Sequence, residues 1–306
     1  MAILKRTLII GSGGYIGSRL IKEISLQAIG VDINWFKKGK EDVDFKDLTR
    51  DYYSEFDNII LLAGHSSVKM SEGGLNSCFN NNVRNFIDLL EKLDKQKLIY
   101  ASSSSVYGSV GGKTVNEKYF GFEPYNQYDI SKHTADLYAQ KSDVEYYALR
   151  FGTVNGISPF LRSDVMINAM VNSAINDGHI KLYIKDTMRP ILGINDLCGA
   201  VKTIVNSDED KRGLYNLASF NKTAEQIAYE VADVMSVEVK EFEADPTQIK
   251  NTKNQTKAYN FSISTLKFRK AFGFKFKDTV EGLATELKNN WNEMIKTDRS
   301  QSINYE

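Results

Sequence analysis

Eight residues, GSGGYIGS at 11–18, restrict the fold more than any other part of the chain. They follow the apolar run TLII at 7–10 and lead into a segment with helical spacing, so a strand turns through glycine directly into a helix. Gly11, Gly14 and Gly17 permit a tight turn, a backbone that can approach a pyrophosphate without Cβ atoms, and a helix amino terminus whose N–H groups face an anion. Tyr15 and Ile16, at the start of that helix, belong to the same candidate phosphate site. About 20 residues on, the second strand ends near Asp32, whose carboxylate can accept from both ribose hydroxyls of an adenosine and would repel a 2′-phosphate. Strand, loop, helix and acid together predict dinucleotide binding, with NAD favoured over NADP. Asp47 and Leu48, in DLTR at 47–50, offer an adenine pocket, although a plain surface turn explains them nearly as well.

The first half repeats this alternation. Strands are expected at 7–10, 28–33, 58–64, 97–102 and 146–154, with helices near 15–26, 77–93 and 126–141, the pattern of βαβ units on a parallel sheet. The fold class is α/β, a Rossmann-like doubly wound sheet. Beyond Gly156 the alternation loosens into a strand at KLYI, helices at 195–206 and 222–236, strands at GLYNLA and VEVKEF, and a terminal helix near 279–295. We therefore divide the chain into a cofactor-binding domain, 1–155, and a smaller lobe, 156–306, with segments near 189–218 returning to the first domain. No repeat is visible, and the polar tail after Thr297 reads as frayed.

Composition removes several classes of function. Lysine plus arginine and aspartate plus glutamate both number 39, with no basic stripe, which argues against nucleic acid and a membrane surface and leaves a small molecule as the partner. Glycines end the apolar run near the amino terminus before a secretory or spanning segment could form. The two cysteines, Cys78 and Cys198, and three scattered histidines show no metal-type spacing. The expectation is a cytoplasmic protein with inert thiols and no metal.

The stretch EPYNQYDISK at 123–132 adds chemistry. On a helix Tyr128 and Lys132 are neighbours, about 5.4–6 Å apart along the axis, whereas Tyr125 lies roughly 10.5 Å back. Alone, such a pair reads as exposed and amphipathic. Together with YASSSSVYG at 100–108, however, it resembles the extended short-chain dehydrogenase/reductase superfamily of nucleotide-sugar epimerases and dehydratases. The likeness extends through the glycines and Asp32, LLAG at 61–64, NNVRNFIDLL at 81–90, LRFGTVNG at 149–156, SPFLRSD at 158–164 and RPILGINDL at 189–197.

The resemblance implies that Ser103, Tyr128 and Lys132 are the catalytic set. Such chemistry needs a base at the sugar hydroxyl whose carbon loses hydride, and a phenol with pKa near 10 serves only if nearby positive charge stabilises phenolate. Lys132 would lower the pKa of Tyr128 and hold the nicotinamide ribose; Ser103 would bind the reacting oxygen. Leu62, Ala63, Gly64 and Asn82 are further cofactor candidates. Thr153, Arg189, Ser104, Arg162, Asn168 and Tyr183 are substrate candidates, Arg189 for the diphosphate; Arg162 and Tyr183 read equally well as surface residues. His65 reads more safely as a hydrogen-bonded loop residue.

Two departures narrow the reaction. Sugar-nucleotide 4,6-dehydratases usually carry an Asp-Glu pair before V-Y-G, where this chain has Ser104 and Ser105, and Thr153 stands where many members have Asn. The resulting expectation is an NAD-dependent nucleotide-sugar epimerase, most simply at C4. The alternatives are a dehydrogenase or ketoreductase of the same superfamily and a non-catalytic NAD-binding protein. A homodimer joined through the helices near 77–93 and 126–141 is a further implication of the resemblance.

Overall fold

The computed structural model describes residues 5–24, 28–34, 43–122, 124–243, 259–297 and 303–305. Six strands, β1 Thr7–Ile10, β2 Ala28–Val31, β3 Asn58–Leu61, β4 Lys97–Ser103, β5 Glu145–Phe151 and β6 Gly213–Leu217, form one parallel sheet in the order β6-β5-β4-β3-β1-β2. The chain reverses direction across the sheet between β1 and β3, so a crevice opens beyond their carboxy ends.

Alternate side chains explain the two layers of helices. Ile9, Ile60 and Ile99 bury one face against Leu20 of α1, Tyr15–Ile24, and Leu197 and Val201 of α5, Ile194–Asn206. Leu8, Ile10, Ile59 and Leu98 bury the other against Phe86 and Leu89 of α2, Asn85–Lys92, and Ala135 and Ala139 of α3, Gln127–Lys141. A strand with apolar residues on both faces must be covered twice, which is why these read as unbroken hydrophobic runs.

Several expected elements end early for local reasons. The 58–64 run stops as a strand at Leu61, and the N–H groups of Leu62 and Ala63 both bond Ile10 O. The 146–154 run breaks at Gly152, where a Cβ would stand 2.8 Å from Pro190 O; Thr153–Asn155 then joins a separate sheet with Met188–Gly193 and Phe220–Thr223. The helix expected at 77–93 is Leu75–Phe79, a π-helical turn at Asn80–Arg84, and α2. Of the helix expected at 15–26, residues 25 and 26 lie outside the described residues.

In the later part of the chain α4, Met166–Asp177, α6, Ala224–Met235, and α7, Val280–Asn290, pack around Ile167, Val171, Ile227, Val231, Leu283 and Leu287, in one core with Ile9, Ile60 and Ile99 of the sheet. β6 lies on the edge of the main sheet although it comes from this later part of the chain. The tail differs from the frayed expectation. Ile303 N donates to Met70 O, and Tyr305 OH donates to Asp44 Oδ2 at 2.6 Å, so residues 303–305 are docked on the first half.

Candidate active site

The glycine loop forms because nothing larger fits. Gly11 has φ +92°, and a Cβ there would lie 2.6 Å from Ala63 N; at Gly17 it would lie 2.0 Å from Gly11 O. Asp32 fixes the loop from below, its Oδ2 accepting from Gly13 N at 2.8 Å and its Oδ1 from Asn34 N at 2.7 Å. A cleft runs over this loop. Gly11, Gly14, Asp32, Leu62, Ala63 and Gly64 line its outer end, and Gly11, Gly14, Ile16, Gly17, Leu62 and Gly64 line the larger inner cavity of about 370 Å³. A Cβ-free cradle at a helix amino terminus, with a carboxylate beyond it, fits a dinucleotide.

Three cofactor candidates, Asp47, Leu48 and Asn82, stand differently from the sequence expectation, and a fourth, Tyr15, turns its hydroxyl elsewhere. The outer end is walled by Asp44 and Phe45, not by Asp47 and Leu48: a 3-10 turn at Phe45–Asp47 leaves Asp47 exposed and packs Leu48 against the core. Tyr15 lines the inner cavity beside Ile16, while its hydroxyl donates to Gly156 O at 2.7 Å and accepts from Asn168 Nδ2. Burial raises its pKa. Asn82 sits behind the cleft, its Oδ1 accepting from His65 N and its Nδ2 donating to His65 O and Ser131 Oγ. The π-helical turn aims it there and joins the 64–65 loop to α3.

At the inner cavity the structure brings Ser103, Tyr128 and Lys132 together. Ser103 ends β4 at the carboxy edge of the sheet; Tyr128 and Lys132 lie one turn apart on α3, whose first turn is capped by Asn126 accepting from Asp129 N. Helix and sheet are fastened by Asp136, buried and accepting from Tyr100 OH, Ser102 Oγ and Arg150 Nε at 2.8–3.0 Å. Lys132 Nζ lies 5.8 Å from the Tyr128 ring centre and donates to Ala101 O at 2.9 Å. Tyr125 precedes the helix; its hydroxyl accepts from Ser109 N and it is not part of the cavity wall.

Without the positive nicotinamide, burial outweighs the neighbouring charges: it pushes the Tyr128 phenol up to about 12, against the opposing influence of the Ser103 hydrogen bond and Arg162, while Asp129 raises it further. Burial also lowers Lys132 to about 8. Both charges are disfavoured by the same loss of water. Burial thus opposes the phenolate in the cofactor-free protein.

The substrate candidates divide. Ser104, Thr153, Arg162 and Arg189 line the cavity. Arg162 Nε donates to Asp164 Oδ1 at 3.0 Å. Arg189 Nη1 donates to Tyr259 O at 3.2 Å, and among the described residues no carboxylate pairs with it. Asn168 is fully buried outside the cavity, where its Oδ1 accepts from Gly156 N and its Nδ2 donates to Arg162 O. Tyr183 is 53% exposed and packs beside Phe242. Tyr259 and Phe261, which sequence reasoning missed, complete the wall; they come from a stretch with no motif. Asp129, also missed, lies beneath them with no exposure. Its sequence signal was only its helical spacing from Tyr125 and Lys132.

His65 is buried and hydrogen-bonded, as the safer reading held. Asn81 Nδ2 donates to Nδ1, which leaves Nε2–H to donate to Ile303 O, and burial lowers its pKa. Among the described residues no group of three His, Cys, Asp or Glu could hold a metal.

Comparison with known proteins places this site in a family. Residues 7–218 match the NAD dependent epimerase/dehydratase family, and the chain belongs to it. It is therefore an enzyme, and its cofactor is NAD. Protein CapI of Staphylococcus aureus is 28% identical over 232 residues, 65% of this chain and 69% of that protein. Two solved structures share the fold over 94% of this chain. MoeE5 in complex with UDP-glucuronic acid and NAD is 20% identical, with TM-score 0.80 and all of its chain covered. UDP-glucuronic acid 4-epimerase from Bacillus cereus, in complex with UDP-glucuronic acid and NAD, is 16% identical, with TM-score 0.77 and 99% covered.

Proposed function

We propose that the enzyme epimerises a nucleotide-diphosphate sugar, most simply at C4, through a transient ketone. The observation that carries this reading is the composition of the inner cavity: Tyr128 with Ser103 and Lys132 beside it, an arginine without a carboxylate partner, and serines at 104 and 105. When bound, NAD supplies a hydride acceptor and a positive ring. Gly11, Gly14, Gly17 and Asp32 hold its phosphates and adenosine ribose, and Lys132 holds the nicotinamide ribose. Tyr128 removes the proton from the reacting hydroxyl, helped by the added positive charge, and returns it to the ketone oxygen. Ser103 holds that oxygen, and Arg189 binds the diphosphate. Inversion requires the ketone to turn within the cavity so that the opposite face of its carbon is presented when hydride and proton are returned, which leaves no net oxidation.

Elimination of water would need an acid and a base facing the sugar. Ser104 and Ser105 are poor substitutes, and the carboxyl of Asp129 is buried behind the cavity wall. The test is a panel of UDP-, GDP-, CDP- and dTDP-sugars followed by product NMR and absorbance at 340 nm. An epimer without net NADH is expected. Accumulating NADH would replace this reading by a dehydrogenase, and a 4-keto-6-deoxy product would overturn it.

We also infer a cytoplasmic homodimer. Leu75 and Phe79 of the helix Leu75–Phe79, with Ile130, Leu137 and Tyr138 of α3, are exposed large hydrophobic residues on the two expected interface helices. Among the described residues no helix is long and apolar enough to cross a membrane. Sedimentation of the parent chain as a monomer at micromolar concentration would exclude the dimer.

A further inference from the structure

Asp129, the residue after Tyr128, is fully buried, yet it is paired with no lysine or arginine among the described residues. Its Oδ2 accepts from Tyr259 OH at 2.7 Å, Asn126 Nδ2 at 3.0 Å and Tyr125 N at 3.3 Å. Its Oδ1 is buried without a hydrogen-bond partner. The Ser105 hydroxyl stands close enough to favour the ionised carboxyl. On its other side Ser105 Oγ lies 2.8 Å from Ser103 Oγ, and Ser103 stands close enough to Tyr128 to bear on its phenol. Two hydrogen-bonded hydroxyls thus stand between the reacting tyrosine and a carboxyl whose Oδ1 makes no hydrogen bond.

We propose that Asp129 is a positioning residue that, through Ser105, sets the direction in which the Ser103 hydroxyl points and so whether the row accepts or donates a proton at the reacting oxygen. The inference rests on the epimerase reading above. An ionised carboxylate can only accept. Turned toward the vacant Oδ1, Ser105 O–H would donate to Asp129, leaving its oxygen to accept from Ser103 O–H. Ser103 already accepts from Ser105 N at 3.2 Å, so toward the cavity it offers a lone pair and no hydrogen. That arrangement suits a substrate hydroxyl about to lose its proton. A protonated Asp129 reverses the row: it donates to Ser105, Ser105 donates to Ser103, and Ser103 donates to a ketone oxygen. The reversal takes up one proton from solvent at the Asp129 carboxyl; the hydroxyls neither gain nor lose one, and each exchanges the partner to which it donates.

The titratable groups facing Asp129 are Tyr128 on its own helix and Tyr259 from the carboxy-terminal segment. Burial raises its pKa, and the Ser105, Tyr259, Tyr125 and Asn126 hydrogen bonds oppose that rise. Protonation therefore occurs at higher pH than for an exposed aspartate.

The experiment compares the NAD-loaded parent with Asp129→Asn, Ser105→Ala and Tyr259→Phe. Tyrosine ring ¹³C NMR, with the Tyr128 signal assigned by loss in Tyr128→Phe, needs no substrate. Asp129→Asn removes a negative charge next to Tyr128, so the tyrosine midpoint should fall by about one pH unit. With UDP-glucose, UDP-N-acetylglucosamine and dTDP-glucose as probes, the acid limb of the kcat profile should vanish in Asp129→Asn and in Ser105→Ala. In Tyr259→Phe it should move to higher pH, because a bond favouring the carboxylate is gone. NAD affinity should stay within about twofold in all three. An unchanged Tyr128 midpoint in Asp129→Asn, or a parental acid limb in Ser105→Ala, would overturn the proposal. Failure of every nucleotide sugar to turn over would count against the epimerase reading alone, and the tyrosine titration would then decide the role of Asp129.

Discussion

The two walls of the cleft are built by different rules. On the cofactor side the backbone makes the demands: Gly11 and Gly17 leave no room for a Cβ, and Asp32 is positioned by its bonds to Gly13 N and Asn34 N. On the substrate side side chains make them, and they come from separated segments: Arg162, Arg189 and Tyr259 meet only after folding. A wall whose geometry is local writes itself into residue spacing. A wall assembled from distant parts does not. Tyr128 and Lys132 stand where the two walls join.

The sharpest way to break this division is to remove the oxygen at the junction. Tyr128→Phe should lower turnover by about two to four orders of magnitude while NAD affinity stays near parental, since the phenyl ring keeps its packing. Tyr125→Phe should have a much smaller effect, because its hydroxyl serves Ser109 N. Single-turnover rates and NAD titrations of both variants decide. A collapse confined to the Tyr125 variant would move the junction one turn away.

That prediction depends on α3, which the spacing placed to within one residue, whereas the helices Met166–Asp177 and Leu266–Phe272 formed no part of the expectation. The βαβ alternation and the glycine loop were readable because one residue type per position satisfies a backbone requirement. The break at Gly152 was not, since the obstacle is Pro190 O from another segment. Nor was the adenine wall: DLTR lies two residues beyond Asp44 and Phe45, and a single 3-10 turn exchanges which of them faces the cleft. Asn168 and Tyr15 show what spacing leaves open. Tyr15 lines the cavity, but the side-chain polar atoms of both are engaged with each other and with Gly156.

Paired substitutions test whether each wall acts on its own ligand. Arg189→Met removes a charge without a carboxylate partner, so KM for the nucleotide sugar should rise about 10- to 100-fold with NAD affinity preserved. Asp32→Ala should weaken NAD about tenfold, narrow its advantage over NADP, and leave the sugar KM alone. Isothermal titration with each cofactor and initial-rate kinetics separate the two. If Asp32→Ala raised the sugar KM as strongly as Arg189→Met, the walls would be one coupled unit.

Lys132 shows what the junction does to stability. Its folded pKa, about 8, lies below the unfolded value near 10.4, so the unfolded state binds the proton more tightly. The destabilisation is fully present below pH 8 and is relieved as pH rises from about 8 to 10.4. Lys132→Met should therefore stabilise the cofactor-free protein at pH 7 by about 1–3 kcal/mol, an advantage that shrinks above pH 8, while turnover and NAD binding fall. Urea unfolding at pH 7 and pH 10 measures the difference. Equal gains at both pH values would mean that the lysine carries no burial penalty.

The smallest effect is expected at Tyr183, and it sets the outer edge of the substrate wall. The residue is 53% exposed, and its ring lies 5.8 Å from that of Phe242 on the surface of the second lobe, away from the cavity lining. Removing an exposed ring deletes little buried apolar area, so Tyr183→Ala should change stability by less than about 0.5 kcal/mol. KM for the sugar should stay within about twofold, because no part of the side chain borders the space a sugar would fill. Kinetics of this variant beside Arg189→Met place both on one scale. A rise in KM above about fivefold for Tyr183→Ala would show that the working cavity extends to the outer surface of the lobe, and the residue missed by geometry would rejoin the site to which its sequence position had assigned it.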